Sequence, residues 1–323
     1  MPIRLILRRL AQALPLLLGV VVLNFALIQS VPGTFLDVMT AEQQVTDPAL
    51  IERLRVTYGM DQPPAVQLLK YIGSVARGDL GYSYRHNLPV LDVILAHLPA
   101  TLLLMCASLA IAVLVGMAAG IVSAVKVNTW WDSAVSVFAV LCFAAPSFWL
   151  GIMLIVLFSV KLGWFPVGGM VTIGLAGGAW RQTLDVLHHL ALPALALGLF
   201  YSAAYARVMR ASMLEVSRMD FVRTAYAKGL TRRAVVLRHV LRNAFLPIVT
   251  LLGLQLGAVL GGSIVVEAVF SWPGIGAVLF DSVMSRNYPV VLGILVLSSF
   301  VVIIANIAVD LLYTRLDPRI KAA

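Results

Sequence analysis

Residues 207–247 read RVMRASMLEVSRMDFVRTAYAKGLTRRAVVLRHVLRNAFLP. They carry nine of the chain's 24 lysines and arginines: Arg207, Arg210, Arg218, Arg223, Lys228, Arg232, Arg233, Arg238 and Arg242. Long apolar runs flank the segment on both sides. Lys and Arg resist transfer across a bilayer, so a basic segment of this length between two apolar runs is expected to face the cytoplasm. Its local pattern reads helix, hinge, helix. Asp220 is placed to cap a short helix through Lys228, and Gly229 suits the left-handed position that ends one. Leu230 falls where an apolar contact follows such a glycine, and Thr231 can cap a second helix running toward Asn243. Ala225 and Ala227 are small enough for another protein to approach the first helix closely. Charge alone also suits a solvated basic loop lying against lipid headgroups.

Composition sets the frame around this segment. Of 323 residues, 61% are hydrophobic and only 12% charged, with a mean hydropathy of +0.95. A soluble globule has about a quarter of its residues charged, so the chain reads as an integral membrane protein. The net charge of +9 does not point to nucleic acid, because the basic residues sit in loops beside apolar runs, as a positive-inside orientation requires. Cys106 and Cys142 both lie within apolar runs and read as buried small hydrophobes, with no disulfide scaffold or metal site.

The apolar runs give the span count. MPIRLILRRL at the N-terminus sets Arg4, Arg8 and Arg9 before an uncharged stretch from Leu10 to Leu36. That stretch is too long for a signal peptide, and no small-x-small cleavage site follows before Pro32, so it reads as an uncleaved first span over residues 10–31. Five more uncharged stretches follow: Leu98–Val125, Ser133–Val160, Val186–Ala206, Asn243–Val266 and Asn287–Val309. Each supplies the roughly 20 residues that cross a hydrocarbon core. Residues 162–180 are uncharged too, but Gly163, Pro166, Gly168, Gly169, Gly174, Gly177 and Gly178 suit a surface loop or re-entrant turn. Counting them as a span would also put the nine-charge segment outside. Six spans with both termini cytoplasmic place 16 of the 24 Lys and Arg inside; five of the other eight fall in a long outer insert, which the positive-inside rule weights little.

The predicted organisation is residues 1–31 as cytoplasmic N-terminus and first span, 32–98 as an extracytoplasmic insert, and 99–323 as a five-helix core containing the 207–247 segment. In the insert, Asp47-Pro48 reads as a cap with proline at the first helical position, and Gly59 as a terminator after Tyr58. Ile51, Leu54 and Tyr58 then share one face. A second insert helix is predicted from Val66 to Ala76, ending at the Gly78-Asp79 turn. Pro146 is predicted to kink or open the third span and Pro193 the fourth. Gly116 and Gly120 make a small-xxx-small packing face.

Chemistry is sparse. Ionisable residues inside a membrane are functional candidates by default. Glu267 and Asp310 fall at span ends, Asp310 with Arg315 nearby. An ion-coupled secondary transporter, the main alternative reading, needs carboxylates at mid-membrane, and the sequence offers none there. Asn24, Gln255, Ser263 and Asn306 remain as polar span residues; Gln255 and Ser263 are candidates to line a translocation path, weighed against interhelical hydrogen bonds. Trp272 would serve equally as an interfacial anchor. His188 and His189 lack the converging partners of a metal site. An intramembrane enzyme would need a catalytic pair at one depth, for which Ser202 near those histidines is the one candidate. HExxH, GxSxG and Walker-type GxxxxGK[ST] are all absent, so the chain carries no recognisable peptidase site and cannot hydrolyse ATP by itself.

The residues Asp220, Phe221, Val222, Arg223, Thr224, Ala225, Ala227, Lys228, Gly229 and Leu230, then His239, Arg242, Asn243, Ala244, Leu246 and Pro247, resemble the cytoplasmic EAA-type loop of ABC-transporter permeases. The resemblance is to the dipeptide/oligopeptide/nickel importer family. YGMDQP at Tyr58 to Pro63, RGDLGYS at Arg77 to Ser83, HLPATLLL from His97, APSFWLGIMLIVLFSVKLGWFP from Ala145 and VFSWPGIG from Val269 follow in the family's order. Three departures stand out. No Glu precedes the Ala of the EAA pattern, Gly229 lies 18 residues before Pro247, and Pro32-Gly33-Thr34-Phe35 stands where the family usually has PGDP. The resemblance implies an all-α membrane protein of the bacterial inner membrane, paired with a homologous second permease. It also implies two cytoplasmic ATPases that carry ATP and magnesium, an extracytoplasmic binding protein, and no cofactor on this chain. Asp220, Arg223, Thr224, Ala225, Ala227, Lys228, Gly229, Leu230, His239 and Asn243 would then dock the ATPase, and Glu267, Trp272, Pro273 and Gly274 would belong to an extracytoplasmic gate loop.

Overall fold

The computed structural model describes the backbone of residues 2–30, 61–83, 85–175, 177–257 and 263–316, and the side chains of these except 2–10, 28, 256–257 and 309–316. The Asp47-Pro48 helix, Pro32-Gly33 and the Asp310–Arg315 pair lie outside that description. The described chain is helical, with loops and one two-residue antiparallel strand pair, β1 (Tyr82–Ser83) and β2 (Leu88–Pro89). It divides into two compact units, residues 1–99 with 278–323 and residues 100–277. The last helix thus groups with the first.

In the first unit, α1 (Pro2–Ser30) packs against α11 (Tyr288–Leu316), the helix that follows α10 (Ile275–Met284). Asn24, fully buried between them, donates from Nδ2 to the Leu292 carbonyl at 3.4 Å. The insert helix α2 (Pro64–Ala76) forms with Pro64 in its first turn. It ends at Gly78, whose φ of +79° lets the Gly78 and Asp79 amides bond back to the Val75 and Ser74 carbonyls, both at 3.0 Å.

The second unit holds most of α3 (Val90–Val125), then α4 (Trp130–Ala144) and α5 (Ser147–Leu154), which runs on as a π-helix over Ile155–Lys161. The long α6 (Ala179–Ser217), the short α7 (Asp220–Ala227), α8 (residues 232–257, with a π-helical turn at Val236–Val240) and α9 (Ile264–Val269) follow. The α3–α6 contact is the unit's spine. A Cβ on Gly116 would lie 2.6 Å from the Ser202 carbonyl oxygen, and one on Gly120 2.6 Å from that of Ala206, so the two backbones touch. Only glycine permits that approach. Leu104, Leu197, Phe270 and Trp272 fill the core at one end of α3, and Tyr205, Met209, Met213 and Val235 at the other.

Some sequence expectations hold and others change. The predicted break at Pro146 is present: the third span's halves meet at 102° around Ala145-Pro146. Proline lacks an N–H and drives its predecessor out of helical geometry, and Ala145 sits at ψ 127°. The 15-residue α4 reaches only about 22 Å, short of a bilayer core. Pro193, by contrast, leaves α6 unbroken for 39 residues, because Leu192, Pro193 and Ala194 are all buried and packing holds the helix through it. That helix also runs on from the predicted span end at Ala206 to Ser217, so the first part of the basic segment is helix. The stretch α8 is interrupted by a turn at Phe245, between Leu241–Ala244 and Leu246–Gly257, close to where the sequence ends the Thr231 helix. Cys106 is exposed on α3 and only Cys142 is buried. Among the described residues, α3, α6, α8 and α11 are long and apolar enough to cross a membrane, and the bent pair would make a fifth.

Candidate coupling site

The chain turns into α7 at Met219, whose extended backbone (φ −72°, ψ 150°) carries no side-chain cap. Asp220 is therefore not the cap that the sequence suggested. It is the first helical residue, where its charge complements the positive helix end, and its carboxylate lies 3.8 Å from Arg223 Nη1 with both side chains in solvent. Such a pair contributes little. The C-terminal end follows the sequence reading. Gly229 at φ +79° lets its own amide bond to the Tyr226 carbonyl at 2.9 Å and the Leu230 amide to that of Ala225 at 3.3 Å. A Cβ at Gly229 would meet nothing within 4 Å, so backbone conformation alone calls for glycine there. Thr231 then caps α8, its hydroxyl accepting from the Ala234 amide at 3.4 Å.

Eight residues make too short a helix to persist alone. Val222 and Ala225, three apart on one face, hold it by packing among Met213 and Val216 of α6 and Val235 and Val240 of α8. Ala225 is only 4% exposed and faces inward, so it is not the small docking residue the sequence suggested. Ala227 is exposed, as are Arg223, Thr224 and Lys228. Phe221 and Tyr226 expose 41% and 46% of their surface on this charged segment, an apolar cost that a partner would relieve. Leu230 is exposed rather than tucked under the turn. His239 and Asn243 are linked to each other, Asn243 Nδ2 donating to the His239 carbonyl at 2.7 Å. They lie about 10 and 16 Å along α8 from its start, so the fold does not bring them to α7's outer face.

Where α3, α4 and α6 meet lies a polar cluster that the sequence reading missed. The Arg210 guanidinium reaches Asp132 with a two-pronged grip, Nε to Oδ1 and Nη2 to Oδ2, both at 2.9 Å. The same Nε is 2.9 Å from the Ser123 hydroxyl, which itself donates to Asp132 Oδ1, and the Asn128 amide donates to Oδ2 at 3.1 Å. Asn128 adopts φ +59° to do so. Nearby, Arg232 Nη2 donates to the Val125 carbonyl at 2.9 Å, satisfying one of the carbonyls left open at the end of α3. The available signal was an Asp one loop away from a basic segment, which spacing alone does not pair.

A second polar cluster closes the other end of α3. Glu267, fully buried, accepts from Thr101 at 2.8 Å, from Ser263 at 2.7 Å and from the Ala277 amide at 3.1 Å. Thr101 in turn accepts from the Ile275 amide at 2.8 Å. A Cβ on Gly274 would strike the Glu267 carboxylate. Trp272 is also fully buried, its indole N–H donating to the Ala100 carbonyl at 2.9 Å, so it is no interfacial anchor. Pro273 is exposed. Ser263, a path candidate from the sequence, turns its hydroxyl into this cage instead, while Gln255 is half-buried on α8.

The remaining candidates separate. Ser202 donates to the Leu199 carbonyl and lies about 20 Å along α6 from His189, which removes the only catalytic pair considered. His188 bonds to the Trp164 carbonyl at 2.7 Å and the buried His189 to that of Asp185 at 2.8 Å. Among the described residues no three of His, Cys, Asp and Glu converge on a metal position.

The site is thus a short helix on a basic segment, packed on one face and joined to long apolar helices. Comparison with known proteins supplies the family. Residues 116–322 match the family described as binding-protein-dependent transport system inner membrane component, and residues 2–105 match its N-terminal counterpart. A putative peptide permease protein of Brucella suis is 42% identical over 99% of both chains. The oligopeptide transport system permease protein of Bacillus subtilis is 39% identical over 98% of both, and the di/tripeptide transport system permease protein of Pseudomonas aeruginosa 40% identical over 97% of both. The chain belongs to the family of inner-membrane components of binding-protein-dependent transport systems, as a permease subunit of an ABC importer and not as its ATPase.

Proposed function

We propose that this chain forms half of a translocation path for peptides or related small solutes and works by alternating access. A homologous permease would complete the path, a binding protein would deliver cargo, and two cytoplasmic ATPases, holding ATP and magnesium, would supply energy through α7. The cargo class rests on the peptide names of the relatives. Six spans with both termini cytoplasmic rest on the distribution of Lys and Arg. Gln255 remains the path candidate on α8, and the loop of Trp272, Pro273 and Gly274 the gate candidate.

One observation carries the coupling role: α7 buries Val222 and Ala225 while leaving Phe221 and Tyr226 in solvent. Its inner face is fixed and its outer face is free to be gripped. Replacing Phe221 and Tyr226 together by Asp tests this in the complex expressed with its partner subunits. ATPase subunits should no longer co-purify, while insertion and pairing with the second permease persist. Full ATPase recovery with undiminished dipeptide uptake would contradict the assignment.

A further inference from the structure

We infer that Asp132 and Arg210 are positioning residues that join the membrane helices to α7, so that α3, α4 and α6 move as one body when α7 is displaced. This rests on the coupling role given to α7 above.

Val222 and Ala225 of α7 share one buried cluster with Met213 and Val216, in the last two turns of α6. Arg210 sits one turn before Met213 on the same helix. Its fork holds Asp132, in the first turn of α4, and its Nε reaches Ser123, in the last turn of α3. Farther along α3, Gly120 and Gly116 bring that helix into backbone contact with α6 at Ala206 and Ser202. Arg232, at the start of α8, holds the final carbonyl of α3. The helix that carries α7 is therefore tied to two others by a charged group with fixed geometry, placed next to the helix that would be pushed.

The chemistry suits transmission better than adhesion. Apolar contacts between α3 and α6 are non-directional and allow sliding. A planar guanidinium on a carboxylate fixes distance and angle together. Asp132 receives Arg210, the Ser123 hydroxyl and the Asn128 amide, so both its oxygens are engaged and it has little freedom to swing away. Removing the fork would leave α6 attached to α7 but free to shift against α3 and α4. ATPase strokes would then move α6 without moving the path.

The test uses the complete complex in nanodiscs, with Asp132→Asn, Arg210→Gln and Arg210→Lys, and measures substrate-stimulated ATP hydrolysis and dipeptide transport on the same preparation. A merely structural role lowers the yield of assembled complex but leaves transport per ATP unchanged. The inference expects transport per ATP to fall about fivefold or more in Asp132→Asn and Arg210→Gln while ATPase subunits remain bound. Arg210→Lys, keeping charge without the fork, should fall between these and the parent. An unchanged ratio in assembled Asp132→Asn and Arg210→Gln complexes overturns the inference. So does failure of all three variants to assemble, which would assign the pair to folding alone. Bound ATPase in every preparation keeps the docking role of α7 intact whichever way the ratio falls.

Discussion

The 100–277 unit has a buried carboxylate near each end of α3, and the two are satisfied in different ways. Asp132, beside Ser123, is gripped by a guanidinium. Glu267, beside Thr101, receives two hydroxyls and one backbone amide and, among the described residues, no ion pair. Twenty-two residues of helix separate Thr101 from Ser123, about 33 Å, or one hydrocarbon thickness. The difference is one of adaptability. Hydroxyl protons rotate to suit a changed acceptor, whereas a guanidinium offers only donors in a fixed plane. The Glu267 cage is thus built to hold a turn, and the Asp132 fork to hold an orientation.

The comparison can be broken from either end. The largest effect belongs to Trp272→Ala, which empties a fully buried indole site and removes the indole's hydrogen bond to the Ala100 carbonyl at the Glu267 end. It should cost about 3–5 kcal/mol in denaturant-induced unfolding in detergent. Next comes Asp132→Asn. Whichever way its amide turns, its NH2 meets an Arg210 N–H, which cannot accept. A fully buried pair broken in this way costs about 3–5 kcal/mol, but the Arg210 side chain is 35% exposed, so about 2 kcal/mol is expected in the same measurement. Glu267→Gln should cost less, about 1 kcal/mol, since Ser263 and Thr101 can reorient around an amide. Equal losses in Asn and Gln variants would erase the distinction between the two sites. Gly229→Ala is the smallest. It strains a left-handed residue without a clash, at about 1 kcal/mol or less, and Gly229→Asn should be milder still. Because α7 is held only by Val222 and Ala225, that strain should show as faster amide exchange confined to residues 220–230 rather than as a lower unfolding midpoint.

Much of the architecture was legible in the sequence, for identifiable reasons. Gly78 and Gly229 announced their helix ends because a left-handed residue needs glycine, and Thr231 announced the start of α8 because a hydroxyl there meets a free amide. Gly116 and Gly120 marked a close-packing face, and the structure supplies α6 as its partner. Other features depended on what packs where. The same residue type broke one helix at Pro146 and passed through another at Pro193, the second being enclosed by buried neighbours. An apolar count could not tell Ala225 from Ala227, which differ only in the face they take on α7. The Asp132–Arg210 fork joins residues 78 apart and has no local signature. Glu267 was visible as an acidic residue at a span end, but its partner Thr101 lies 166 residues away.

Cysteine cross-linking along α7 tests the central claim most directly. Thr224→Cys and Ala227→Cys place thiols on the exposed face, and Val222→Cys and Ala225→Cys place them on the buried one, each in a background with Cys106 and Cys142 replaced by Ala. In the assembled complex, a short bifunctional maleimide should join the two exposed positions to an ATPase subunit and leave the two buried ones unlinked. Cross-links at 222 and 225, or none at 224 and 227 while the ATPase co-purifies, would contradict the docking of the ATPase on this helix.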